Sequence, residues 1–328
     1  MKPSITILFI CVLLSVSCTK QSTGPETIPP TTPLPPGTTC TAQKADAETI
    51  TIFPKDNPLN TDISAAPVDA NSKQILAAYS TTGIKTDFGS GLWDNAPIGI
   101  PFVVVCGSQA KIPVTFRANG NDGNYGNESD AGPYSIPLNA PIEGNGVGDS
   151  HVISVDKENG ILYELYNASI NGNHWEASSG AIFNLNSNQV RTEGWTSADA
   201  AGLPIFPGLV RYDEILKGEI DHAIRFTLTK ANVKAAYIFP ASHKVNSTGG
   251  VYSLPFGGRI RLSNAFDISG YQARMQIILK AMKKYGLILA DIGSNMYISG
   301  APDERWDNGE LRSLLNVKAV NFEVVKLN

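Results

Sequence analysis

Most of the motifs that would fix a reaction are missing from this 328-residue chain. There is no HExxH, no CxxC and no EF-hand loop closing on a glutamate, so the usual zinc and calcium frameworks are excluded. No G-x-S-x-G elbow and no glycine-rich phosphate loop occurs, which disfavours serine-hydrolase and nucleotide chemistry. Basic runs are also absent. The balance of 26 Lys+Arg against 30 Asp+Glu, a formal net charge of −4, argues against a nucleic-acid partner. There are only four histidines and four cysteines. The one apolar run of note, Ile5 to Val16, is too short for a mature membrane-spanning helix, which needs about 20 residues.

That run follows Lys2 and ends in Leu14-Ser15-Val16-Ser17-Cys18. A positive start, a short apolar core and a small residue before a cysteine form a targeting segment that resembles a bacterial lipobox. Cleavage before Cys18 would leave that cysteine to carry lipid. Ser15 stands where an aliphatic residue is usual, so ordinary secretory cleavage is the alternative. Residues 18–44 are rich in Pro and Thr, with prolines at 25, 29, 30, 33, 35 and 36, and read as an extended tether. The expected organisation is a signal peptide (1–17), a lipidated tether (18–44) and a single β-rich globular domain (45–328). The expected location is the outer membrane or cell surface, as an exported lipoprotein. Cys40 and Cys106 remain for an oxidising compartment, where a disulfide would tie the tether to the core. The alternative is a buried free Cys106 at the end of Pro101-Phe-Val-Val-Val-Cys106.

Strand signals dominate that domain. Phe102 to Cys106 is a continuous apolar run suited to a strand buried on both faces. Lys111 to Phe116 alternates, but Pro113 pushes it to an edge. His151 to Val155 and Ile161 to Tyr166 flank Asn159-Gly160, a strong hairpin signal. Gly180 to Leu185, His222 to Thr229, Ala235 to Phe239, Arg259 to Leu262, Gly286 to Asp291 and Phe322 to Leu327 read as further strands. Short helices are expected over Asn71 to Tyr79 and Asn308 to Leu315. One longer helix is expected over Tyr271 to Tyr285, where Met275, Ile278, Leu279 and Met282 make an apolar stripe. The fold class is mainly β: a β-sandwich or jelly-roll-like domain with a few short helices and one longer helix near the C-terminus.

The segment Arg191 to Glu214 has neither a strand period nor that of a long amphipathic helix. Two prolines and three glycines interrupt it, yet it holds Trp195, Asp199, Arg211 and Tyr212. A long irregular segment with apolar content is expected to be a folded loop that builds a site, or a structural plug buried by Ala200, Ala201, Leu203, Ile205, Phe206 and Leu209.

Carboxylates, histidines and aromatics supply the remaining chemistry. Asp149 and His151 lie two apart and would share a face if extended. His222 follows Asp221. Such pairs suit a general base or a proton relay, and equally suit structural histidines. In the alternating Ile161-Leu-Tyr-Glu-Leu-Tyr166, Leu162, Glu164 and Tyr166 share one face, so Glu164 would line a concave sheet or face solvent. Residues 119–130, rich in Asn, Asp and Gly, would hold calcium or form a solvated turn. No other metal or cofactor is implied. The four tryptophans sit among polar neighbours, where their rings would stack on sugars or pack in the core.

Glu128 to Tyr134, Gly194 to Glu214 and Pro302 to Trp306 together resemble a group of exported bacterial proteins of unknown function. The resemblance covers most of the domain. It implies export and a bacterial source, and no activity.

The expected function is a carbohydrate-active enzyme acting on a polysaccharide, hydrolase ahead of lyase. A glycosidase would draw its two carboxyl groups from Asp149 or Glu164 together with Asp199, with His151 or His222 relaying protons. Trp175, Trp195 and Trp306 would bind the sugar. Arg211 and Tyr212 would serve a lyase, the first neutralising a uronate. The competing readings are a non-catalytic glycan-binding surface lipoprotein and a structural envelope lipoprotein.

Overall fold

A computed structural model describes residues 50–118 and 125–327, all within one compact unit, Cys40–Asn328. The segments proposed as signal peptide and tether lie outside the described residues. So does half of the proposed calcium loop, residues 119–124, and within the other half the Asp130 carboxylate is engaged elsewhere, as shown below. Cys106 is disulfide-bonded, and its partner is outside the described residues.

The chain opens with helix α1 (Ser72–Ala77), then β1 (Lys85–Asp87), β2 (Leu92–Trp93), β3 (Ala96–Pro97), β4 (Phe102–Val105) and β5 (Val114–Phe116). Next come β6 (Val152–Asp156), β7 (Ile161–Tyr166), β8 (Ser169–Asn171), β9 (His174–Ala177) and β10 (Ser179–Asn184). A long irregular stretch leads to α2 (Tyr212–Lys217), β11 (Ile224–Leu228), β12 (Val233–Tyr237), β13 (Leu254–Phe256) and β14 (Arg259–Leu262). The chain ends with α3 (Ala273–Lys284), β15 (Leu287–Ile292), β16 (Tyr297–Ser299), α4 (Asn308–Ser313) and β17 (Phe322–Val324). The protein is thus mostly strand with few short helices.

Two sheets frame it. The larger has the order β1-β16-β11-β15-β14-β17, with β1/β16 and β11/β15 parallel. The smaller runs β10-β7-β6-β4, with β6/β7 the expected antiparallel hairpin and β4/β6 parallel. One hydrophobic core takes side chains from both: Phe102, Val104, Ile153, Val155, Leu162 and Phe183 from the smaller, and Ile224, Phe226, Ile260, Leu287 and Leu289 from the larger. The alternate residues of the smaller sheet, Val103, Val105, Val152, Tyr163 and Leu165, enter a second core. That core is closed by Trp175 and Ala177 of the three-stranded sheet β5-β9-β8. Burial on both faces explains why β4 reads as a continuous apolar run rather than an alternating one.

Helix α3 forms where its apolar stripe predicts. Met275, Ile278, Leu279 and Met282 are buried, and Lys283 and Lys284 occupy the last turn, where cations suit the helix dipole. Gly286 then turns the chain at φ +73°, with a would-be Cβ only 2.5 Å from the Ile260 carbonyl oxygen, so glycine is required before β15. Leu279 is fully buried in the main core. Leu279→Ala should lower unfolding free energy by about 2–5 kcal/mol in chemical denaturation.

Candidate functional site

The irregular stretch between β10 and α2 is pinned at several points, and each pin is a polar group whose alternative would be an unsatisfied burial. The Arg191 guanidinium donates to the Thr196 carbonyl at 2.5 Å, to Asp130 at 2.6 Å and to the Glu128 carbonyl at 2.7 Å. The Ser197 hydroxyl donates to the Leu203 carbonyl at 2.6 Å and accepts from the Asp199 N–H at 2.9 Å. The Glu164 carboxylate accepts from the Ile205 N–H at 2.9 and 3.0 Å and from the Phe206 N–H at 2.8 Å. Ala198, Ala201, Leu203, Ile205, Phe206 and Leu209 are all in the main core. The segment is therefore a plug between the sheets, and residues 196–200 of the same plug form a wall of a cleft.

That cleft has a volume of about 240 Å³ and is lined by Tyr125, Asp149, Tyr166, Ser179, Thr196 to Ala200, Val245, Asp291 and Ile292. Three carboxyl groups, Asp149, Asp199 and Asp291, face it. Larger depressions exist. A groove of about 1120 Å³ lies against α1 and β17, and another of about 630 Å³ is lined by Arg211 and Glu214. Size favours the first, but it gathers none of the candidate catalytic side chains.

The floor of the cleft is an ionic cluster centred on Arg225, which β11 carries into the interior. Its guanidinium grips Asp199 with two hydrogen bonds, 2.6 and 2.9 Å long, donates to the Ser299 hydroxyl at 2.6 Å, and reaches Asp291 at 3.3 Å. One cation thus serves two carboxyl groups, and the bidentate partner takes the larger share. Burial and the neighbouring Asp199 charge push the Asp291 carboxyl up to about 7, against the pull of Arg225. Burial likewise lifts Glu164 to about 7, opposed by the Phe206 and Ile205 N–H groups. The same forces hold Arg225 more firmly charged than usual: burial opposes its charge, and Asp199 outweighs burial.

Behind the cleft stands His151. Its Nδ1 meets Glu143 at 2.5 Å and its Nε2 meets the Ala198 carbonyl at 3.1 Å. Two acceptors on two ring nitrogens call for the doubly protonated ring. Burial disfavours that charge, yet the Glu143 carboxylate overrides it and raises His151 to about 9. Glu143 is lowered in turn: burial raises it, and the His151 charge outweighs the burial. Asp87, at the end of β1, is raised by desolvation and by the Glu143 charge, so it belongs to the same electrostatic neighbourhood.

The sequence candidates therefore divide. Asp149, Glu164, Asp199 and His151 converge on this region. However, Ser150 has φ +50°, so the segment is not extended, and Asp149 and His151 do not share a face as expected. Asp149 is exposed at the cleft while His151 is buried, with both nitrogens committed. Glu164 shares its strand face with Leu162 and Tyr166 as expected, but it is fully buried beneath the plug rather than lining the cleft.

His222, Arg211 and Tyr212 lie apart from the cleft. His222 Nε2 meets Glu214 at 2.8 Å, and Arg211 meets Glu214 at 2.9 Å and Asp213 at 3.4 Å. Tyr212 packs edge-on to Trp306 with ring centroids 4.8 Å apart.

The tryptophan expectation is corrected for two positions. Trp175 is fully buried with its indole N–H on the Ile136 carbonyl at 3.1 Å, and Trp306 is 3% exposed with its N–H on Ala301. Neither ring has a face free for a sugar. Trp195 is half-buried beneath the Arg191 guanidinium, 5.8 Å from its ring centre. The proposed calcium loop ends in Asp130, whose carboxylate is taken by Arg191 and the Ile182 N–H.

Sequence reasoning missed Arg225, Asp291, Glu143, Asp87 and the cleft tyrosines 125 and 166. The signal applied to Glu164, a charge inside an apolar strand, is also present in Ala223-Ile-Arg-Phe-Thr-Leu228 and in Leu287-Ile-Leu-Ala-Asp291. Compared with known proteins, the chain matches no family model, no curated protein and no solved structure.

Two predictions follow from the cluster. Arg225→Met leaves Asp199 buried without its cation and should cost about 3–5 kcal/mol by chemical denaturation, much of it recovered in the Asp199→Leu/Arg225→Met double variant. The folded-state rise of His151 from 6.5 to about 9 gives stability that is complete below pH 6.5 and is lost as pH rises through about 9. The loss of Tm between pH 6 and 9.5 should therefore be smaller in His151→Gln than in the parent.

Proposed function

We propose that the cleft is the catalytic site of an exported, lipid-anchored glycoside hydrolase acting on a polysaccharide. Its two large sheets would then be a sandwich-type frame around the ionic cluster. The observation that carries this reading is that a carboxyl group of raised proton affinity shares one cleft with an exposed carboxyl group. Asp291 is held protonated near neutrality, while the exposed Asp149 faces the same space. Glycosidic cleavage requires two carboxyl groups at one site, one of them able to give a proton.

Asp291 donates its proton to the departing glycosidic oxygen. Asp149 provides the second carboxylate, which either attacks the anomeric carbon or takes a proton from the incoming water. Asp199 is a positioning residue, fixed by Arg225, and His151 holds the Ala198 carbonyl so that residues 196–200 keep their place. Tyr125 and Tyr166 supply aromatic walls, and Ser179, Thr196 and Ser197 supply polar ones. Lyase chemistry ranks behind this because Arg211 and Tyr212 lie outside the cleft.

A polysaccharide panel read for new reducing ends and for absorbance of unsaturated uronates tests the reading. Reducing ends without unsaturated products are expected, and neither signal on any polymer would remove the enzyme assignment. On a cleaved substrate, Asp291→Asn should lower kcat by about 10²–10⁴-fold. The parent should lose activity as pH rises past about 7, where Asp291 gives up its proton.

A further inference from the structure

Trp175 and Trp306 are core residues and Trp195 is half-covered, but Trp93 is 78% exposed. Keeping a large apolar ring in water forgoes the stabilisation that burial would bring, so its rigid display calls for a reason. The display is rigid. Trp93 pairs with Ala96 and Leu92 with Pro97 in a two-strand hairpin. Its turn, Asp94-Asn95, has both residues at positive φ, 49° and 64°, the conformation that a tight hairpin demands and that Asp and Asn tolerate. The hairpin is braced on two sides. Asn308 exchanges hydrogen bonds with the Ser90 backbone, each 3.0 Å long, and Asn145 Nδ2 donates to the Asn95 carbonyl at 2.8 Å.

The second brace places the ring. Asn145 belongs to the loop that begins at Glu143, the partner of His151, and ends at Asp149 in the cleft. β1 leads into the hairpin and ends at Asp87, which feels the charges of Glu143 and Asp149. The loop that braces the Trp93 hairpin thus also brings Asp149 to the cleft.

We propose that Trp93 is a sugar-binding platform outside the cleft, stacking on a neutral ring of the polysaccharide chain whose other residues enter the cleft. This rests on the reading of the cleft as a glycoside site. The chemistry of the surroundings selects the ligand. Asp87, Asp94 and Asp149 are acidic and repel anionic lipid headgroups and phosphates. A neutral pyranose presents a C–H face to the electron-rich indole face and hydroxyl donors to those carboxylates. Val147, on the loop that braces the hairpin, is also 73% exposed.

The test is native electrophoresis in gels containing neutral polysaccharides, run on the Asp291→Asn protein so that chemistry does not consume the ligand. Retardation by at least one polymer is expected, and Trp93→Ala added to it should weaken that retardation about tenfold, with partial rescue by Trp93→Tyr. No retardation by any polymer, or equal retardation of the two proteins, overturns the platform. Sedimentation with phosphatidylglycerol vesicles that depends on Trp93 also overturns it, in favour of a membrane contact. With Asp291 intact, Trp93→Ala should lower kcat/KM on the polymer and leave it unchanged on a short chromogenic glycoside. Binding by Trp93 without turnover of any substrate would sink the catalytic reading and leave the platform standing.

Discussion

Arg225 brings one positive charge into an interior where Asp199 binds it with two hydrogen bonds and Asp291 reaches it at a longer distance. Burying an ion costs several kcal/mol, which a bidentate pair offsets only with good geometry. Here that geometry fixes Asp199, and through it the stretch from Thr196 to Ala200. Asp291 is less well served: burial and the Asp199 charge raise its proton affinity against the pull of Arg225. A single guanidinium therefore shapes the cleft wall, and it draws two carboxyl groups to one place.

The plug that carries Asp199 is held from both sides. Glu164 in the smaller sheet receives the N–H groups of Ile205 and Phe206, and Arg225 in the larger sheet receives Asp199. Between these polar pins the apolar residues of the plug fill the main core. An irregular segment without its own ladder is ordered in this way because its pinned polar groups have partners and its apolar ones have neighbours. Such ordering suits a cleft wall, since positions set by a core do not drift when a ligand arrives.

Much of the frame was legible in the residues. The apolar run of β4, the Asn-Gly turn between β6 and β7 and the stripe of α3 are local patterns set by side-chain period and turn chemistry. Asp149 and Asp199 were also legible as candidates, and both line the cleft. His222 and Trp175 misled for the opposite reason. A polar neighbour in sequence says nothing about burial, and both side chains found partners inside, on Glu214 and on the Ile136 carbonyl.

The sequence by itself determined the longer strands β4, β6, β7, β10, β11, β14 and β15, the body of the long helix, and that the stretch from Arg191 to Glu214 would be folded but irregular; the short strands β1 to β3, β8, β9, β13 and β16 carry no such local pattern. Only the tertiary structure decided which charges meet. Arg225, Asp199 and Asp291 are separated by 26 and 66 positions along the chain and come together through the pairing of β11 with β15 and the seating of the plug. Pairing of this kind depends on sheet order and on parallel crossovers, which no local period encodes. The same holds for the tryptophans. Their neighbours in sequence are alike, and only packing separated the buried rings from the one left facing water.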